Sequence, residues 1–76
     1  MHRNKKLRHL LAENVSAVMK VRRLSQPKVA AAAKKAGTPI DQTSVGRVLR
    51  AEFPASVDTL EAIANGLAVE PWQLLN

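Results

Sequence analysis

Prolines at 27, 39, 54 and 71 punctuate this 76-residue chain, and each must fall in a loop or in the first turn of a helix, where its missing N–H is tolerated. Between them, apolar residues recur at helical spacing. Leu7, Leu10, Leu11, Val15, Val18 and Met19 predict an amphipathic helix from Leu7 to about Val21–Arg23, its outer face carrying Arg8, Glu13, Asn14 and Lys20 as a solvated mixture. Leu24 and Ser25 then offer a turn and an N-cap. Pro27 lies in the first turn of a second helix, whose alanine-rich body KVAAAAKKA has high propensity and a thin surface suited to close packing. Gly37 suits a left-handed cap and Pro39 prevents continuation, so Gly37 to Ile40 is expected to be a loop. A third helix is expected from Asp41 to about Ala51. Glu52 to Ala55 forms the next loop, with Phe53 expected to fold back onto the core. Ser56 caps a fourth helix, with Leu60, Ile63, Ala64 and Leu67 as its buried stripe and Asp58 and Glu61 placed to favour its dipole. Pro71 opens a last short helix, in which Trp72, Leu74 and Leu75 are expected to close the core. The expectation is an all-α domain of four to five helices.

A chain this short makes one small domain in which nearly every apolar position must contribute. With no cysteine, disulfides and thiolate metal sites are excluded. His2 and His9, with no nearby acid or Cys to complete a set, read as surface residues. No apolar run approaches the ~20 residues of a membrane span, and no apolar run follows the basic N-terminus to make a secretory signal. The expectation is a soluble, cytoplasmic protein with no cofactor, no metal, no membrane partner and no small-molecule substrate.

The net charge of +6 conceals a division. Residues 1–50 hold all twelve Lys and Arg against Glu13 and Asp41, a net of +10, whereas residues 51–76 hold four acids and no base, a net of −4. A field so divided favours a polyanion on one side and orients the approach to it. Phe53 and Trp72 are too few aromatics for a platform that stacks single-stranded bases.

The stretch IDQTSVGRVLRA, residues 40–51, concentrates the chemistry. Asp41 is a good N-cap, and Val45, Val48 and Leu49 fall on one side of the helix it starts. Gln42, Thr43, Ser44, Arg47 and Arg50 point largely elsewhere, forming a short, polar, basic side without an acid. Gln and Arg carry donor and acceptor forks that match base edges in the DNA major groove, and Ser and Thr hydroxyls reach a base or a phosphate. Gly46 inside this helix costs ~1 kcal/mol relative to Ala. A close helix–helix or helix–backbone approach would account for it. Residues 1–6, MHRNKK, have no apolar periodicity and read as a basic arm whose Arg3, Lys5 and Lys6 can contact phosphates by charge and reach alone; residues 7–76 form the domain. Lys34 and Lys35 either favour the dipole at the end of the second helix or reach a phosphate.

Two helices joined by a Gly-containing turn, the second presenting a polar basic face, satisfy the helix-turn-helix description. The succession LSQPKVAAAAKKAG, IDQTSVGRVLRAE and PASVDTLEAIANGLAVEPWQLL resembles the helix-turn-helix family of phage lambda repressor and Cro, in order from about Leu7 to Leu75. The resemblance implies a compact lambda-repressor-like domain that places the third helix in the major groove of double-stranded DNA. Gln42, Thr43, Ser44 and Arg47 would then face base edges, Arg50 would lie near a phosphate, and Gln26 and Lys28 would meet phosphates at the start of the second helix. It also implies a transcriptional regulator, a repressor by expectation, acting as a homodimer on a two-fold site. Two departures stand out. Gln26 and Val45 lie nineteen positions apart, more than the family's usual spacing, so the second helix is a turn longer or the loop after it is extended. The glycines usual after the third and fourth helices are Ala51 and Ala68 here, with Gly66 two residues earlier.

An antitoxin or a controller protein of a restriction system would share this fold and site. An interaction module that has lost DNA binding would be favoured by neutral or acidic residues on the third helix, which has the opposite. Against an enzyme stand six carboxylates with no paired spacing suited to acid–base work and the lack of Cys, Tyr, a glycine-rich phosphate loop or a Ser-His-Asp arrangement.

Overall fold

In the computed structural model, which describes residues 6–52 and 55–76, Ser25, Asp41 and Ser56 each stand in extended backbone just ahead of a helix. Their side chains accept hydrogen bonds from the amides of Lys28 (3.4 Å), Ser44 (2.8 Å) and Thr59 (3.1 Å). Each satisfies a first-turn N–H that has no partner inside its helix. The expected starts are therefore the observed ones. The helices are α1 (Leu7–Arg22), α2 (Gln26–Lys35), α3 (Gln42–Leu49) and α4 (Val57–Leu67), followed by a 3₁₀ turn at Pro71–Leu75. The fold is all-α, with no strand among the described residues.

All four helices stop in the same way. A residue at the cap (Arg23, Ala68) or just after it (Gly37, Ala51) turns left-handed, its N–H returns to a carbonyl three residues back, and the next N–H returns five residues back, which is the Schellman arrangement. The pairs are Arg23 to Lys20 with Leu24 to Met19, Gly37 to Lys34 with Thr38 to Ala33, Ala51 to Val48 with Glu52 to Arg47, and Ala68 to Asn65 with Val69 to Ala64. The turning residues have φ of 56°, 90°, 55° and 60° for Arg23, Gly37, Ala51 and Ala68. Gly37 alone is a glycine. The expected end of the third helix at Ala51 is thus corrected to Leu49, because Ala51 has already left the helical region to close the stop.

The core gathers Leu11, Val15 and Met19 from α1, Val29 from α2, Val45 and Val48 from α3, and Ile63, Ala64 and Leu67 from α4, with Leu74 beneath them. The helices pack most extensively where α2 meets α4. A Cβ on Gly66 would stand 2.6 Å from the Val29 carbonyl oxygen, so the alanine-rich helix does lie close to its neighbour. The connection that follows α2 is tied to α4 by Asn65 Nδ2, which donates to Thr38 Oγ1 at 3.0 Å.

Several side chains lie elsewhere than expected. Leu7 is 67% exposed, since at the first residue of α1 it precedes the turn that meets the core. Trp72 and Leu75, 62% and 37% exposed, do not close the core; Leu74 does so alone. The last element is 3₁₀ rather than α, and at three residues per turn Trp72 and Leu75 share one side while Pro71 and Leu74 share another. Asn14 is half-buried rather than solvated, and its Nδ2 donates to the carbonyls of Leu74 at 2.8 Å and Asn76 at 3.1 Å. Phe53, His2, Arg3 and Lys5 lie outside the described residues.

Candidate nucleic-acid interface

α3 is fixed from behind and open in front. Val45 and Val48 are buried in the core, Leu49 packs against its edge, and Gln42, Thr43 and Arg47 are exposed on the outer side. Ser44 is half-buried at the start of the helix. Its backbone N–H and its hydroxyl both hydrogen-bond the Asp41 carboxylate, so this residue expected to meet bases is engaged by the helix's own cap. Those bonds, the backbone one foremost, hold the Asp41 carboxyl below its ordinary range, and the charge of Arg47 adds to the effect.

The structure also brings Gln26 to α3. Gly46 is buried, and a Cβ built on it would come within 3.0 Å of Gln26 Oε1 and 3.1 Å of Arg50 Nη1. The expected close approach at Gly46 is therefore to the ends of two side chains, not to a helix or its backbone. Helix meets backbone at Gly66 instead. Gln26 from α2 and Arg50 from the end of α3 converge over the bare backbone of Gly46 between them. The extra length between Gln26 and Val45 is taken up in a connection of six residues, 36–41, against the 3–4 common in this motif.

Lys28 is exposed in the first turn of α2. Lys6 is exposed just ahead of α1, where its carbonyl accepts from the amides of His9 and Leu10. Lys5 is outside the described residues. The outer side of α3 is not free of acid at its ends. Asp41 stands at one, and at the other Glu52 Oε2 accepts from Arg50 Nε in an ion pair. That bond first, then the charges of Arg50 and Arg47, hold the Glu52 carboxyl below the usual carboxylate range. Glu52 gave no signal at the level of spacing, because residues two apart do not meet on a helix. The left-handed turn at Ala51 is what puts it beside Arg50.

No family model and no curated protein matches the sequence. The fold is similar to the crystal structure of a hypothetical transcription factor, NHTF, from Neisseria. The likeness covers 100% of this chain and 82% of that one, with a TM-score of 0.80 and 26% sequence identity. It extends over every element described above, from α1 to the 3₁₀ turn. No helix among the described residues is long and apolar enough to cross a membrane.

Proposed function

We propose that this chain is a sequence-specific reader of double-stranded DNA, a helix-turn-helix domain of the lambda repressor and Cro type from a phage or bacterial transcriptional regulator. Residues 7–76 are the reading domain and residues 1–6 a basic arm. α3 enters the major groove, where Gln42, Thr43, Ser44 and Arg47 meet base edges. Gln26, Lys28, Arg50, Lys5 and Lys6 meet phosphates. The regulator acts as a repressor in the bacterial cytoplasm or an infected host, binding as a homodimer to a two-fold site.

The observation that carries this reading is the exposure of Gln42, Thr43 and Arg47 on a helix whose opposite side is locked in the core by Val45 and Val48. A rigid, capped helix presents such side chains to a groove without having to order them first. The full-length likeness to a hypothetical transcription factor supports a regulatory role, and the net +10 of residues 1–50 supports a polyanionic partner.

Selection of bound sites from a random duplex library tests the proposal. The expected product is an inverted repeat whose half-sites are about one helical turn apart. A single half-site would retain the reader and discard the dimer, and enrichment of no sequence would refute base reading.

A further inference from the structure

The guanidinium that Arg50 brings toward α2 already carries an anion. Its Nε edge donates to Glu52 Oε2, while its Nη1 lies over Gly46 on the side where Gln26 Oε1 sits. Both partners of the ion pair are about half exposed, so an incoming group can reach them. Their meeting is built into the helix stop: Ala51 turns left-handed, and Glu52 is pinned by its N–H to the Arg47 carbonyl. A carboxylate and a phosphate make the same charge-assisted hydrogen bonds to a guanidinium, and therefore compete for it.

We infer that Glu52 is a built-in competitor for a DNA phosphate at Arg50, displaced when a duplex docks. The inference rests on the reading of α3 as a DNA-reading helix. An exposed ion pair contributes little, so a duplex wins the exchange but loses part of the contact's worth in doing so. Because a phosphate contact carries no sequence information, Glu52 lowers affinity for every duplex alike and leaves base preference intact. It thereby weakens the hold on recognised and unrecognised sites by the same factor.

The test is binding of the full chain and its Glu52→Gln variant to a selected duplex and to a random one. The variant is expected to bind both about two- to fivefold more tightly at low salt, with the gain shrinking as salt rises. In an Arg50→Ala background most of that gain is expected to vanish, which separates an exchange at Arg50 from the general loss of one negative charge. Unchanged or weaker binding by Glu52→Gln, or a gain that persists in full without Arg50, would overturn this inference while leaving the DNA reader standing. A wild-type chain that binds no duplex would overturn both.

Discussion

A Cβ placed on Gly66 would stand 2.6 Å from the carbonyl oxygen of Val29 and 3.0 Å from its Cγ1. The first of these atoms is backbone, so α2 and α4 would have to move apart to admit a methyl group. Gly66→Ala gains ~1 kcal/mol of helix propensity, yet a net loss of about 1–3 kcal/mol is expected from overpacking. Gly46→Ala is the control, because its new methyl meets only the mobile ends of Gln26 and Arg50. Thermal melts followed by circular dichroism should drop several degrees for the first variant and stay level or rise for the second. Equal melting would mean that α2 and α4 are not in close contact.

Ala51 and Ala68 hold φ of 55° and 60°, where a Cβ crowds the following carbonyl. Glycine removes that clash at a smaller cost in unfolded-chain entropy. Ala51→Gly and Ala68→Gly should each stabilise the domain by about 0.5–1 kcal/mol, additively, as read by urea denaturation with an unchanged slope. A loss in either variant would show that the residue is not in the left-handed region.

Arg47 and Lys28 should separate in kind. Arg47→Ala is expected to cost about 1–3 kcal/mol on the selected site and to relax preference at one base position. Lys28→Ala should weaken selected and random duplexes alike and reduce the salt slope by ~1. Fluorescence anisotropy over a range of salt concentrations reads both. Equal losses on both duplexes for both variants would remove Arg47 from the bases.

Asp41 links α3 to pH. Its carboxyl is held below its ordinary value, chiefly by the Ser44 amide, so the stability it adds is present above the unfolded-state pKa and is lost as pH falls through the lower folded-state value. Asn keeps the cap without titrating. Wild type and Asp41→Asn should therefore differ most at neutral pH and converge in acid, below about pH 4. A gap that does not change with pH would show that the carboxylate gains nothing from its charge.

Helix starts and helix stops were not equally legible. Ser25, Asp41 and Ser56 announce their helices because the cap chemistry is local to four residues, and the structure shows each bond. The stops depend on a left-handed residue, and only Gly37 advertises one; Arg23, Ala51 and Ala68 adopt it although each carries a Cβ. The outer face of α3 was readable from Val45 and Val48, whose burial turns Gln42, Thr43 and Arg47 outward. The pairing of Arg50 with Glu52 was not, since it follows from the illegible stop between them. Trp72 looked internal by its size, but a 3₁₀ turn takes only one side of PWQLL inward, and Leu74 occupies it.

The amide of Asn14 grips the carbonyls of Leu74 and Asn76 across sixty residues of chain, and Leu74 is itself wholly enclosed. Closing so wide a loop is entropically costly and is repaid only once the intervening helices have assembled. The 3₁₀ turn is thus a latch between α1 and the residues beyond α4: without it the four helices have no floor.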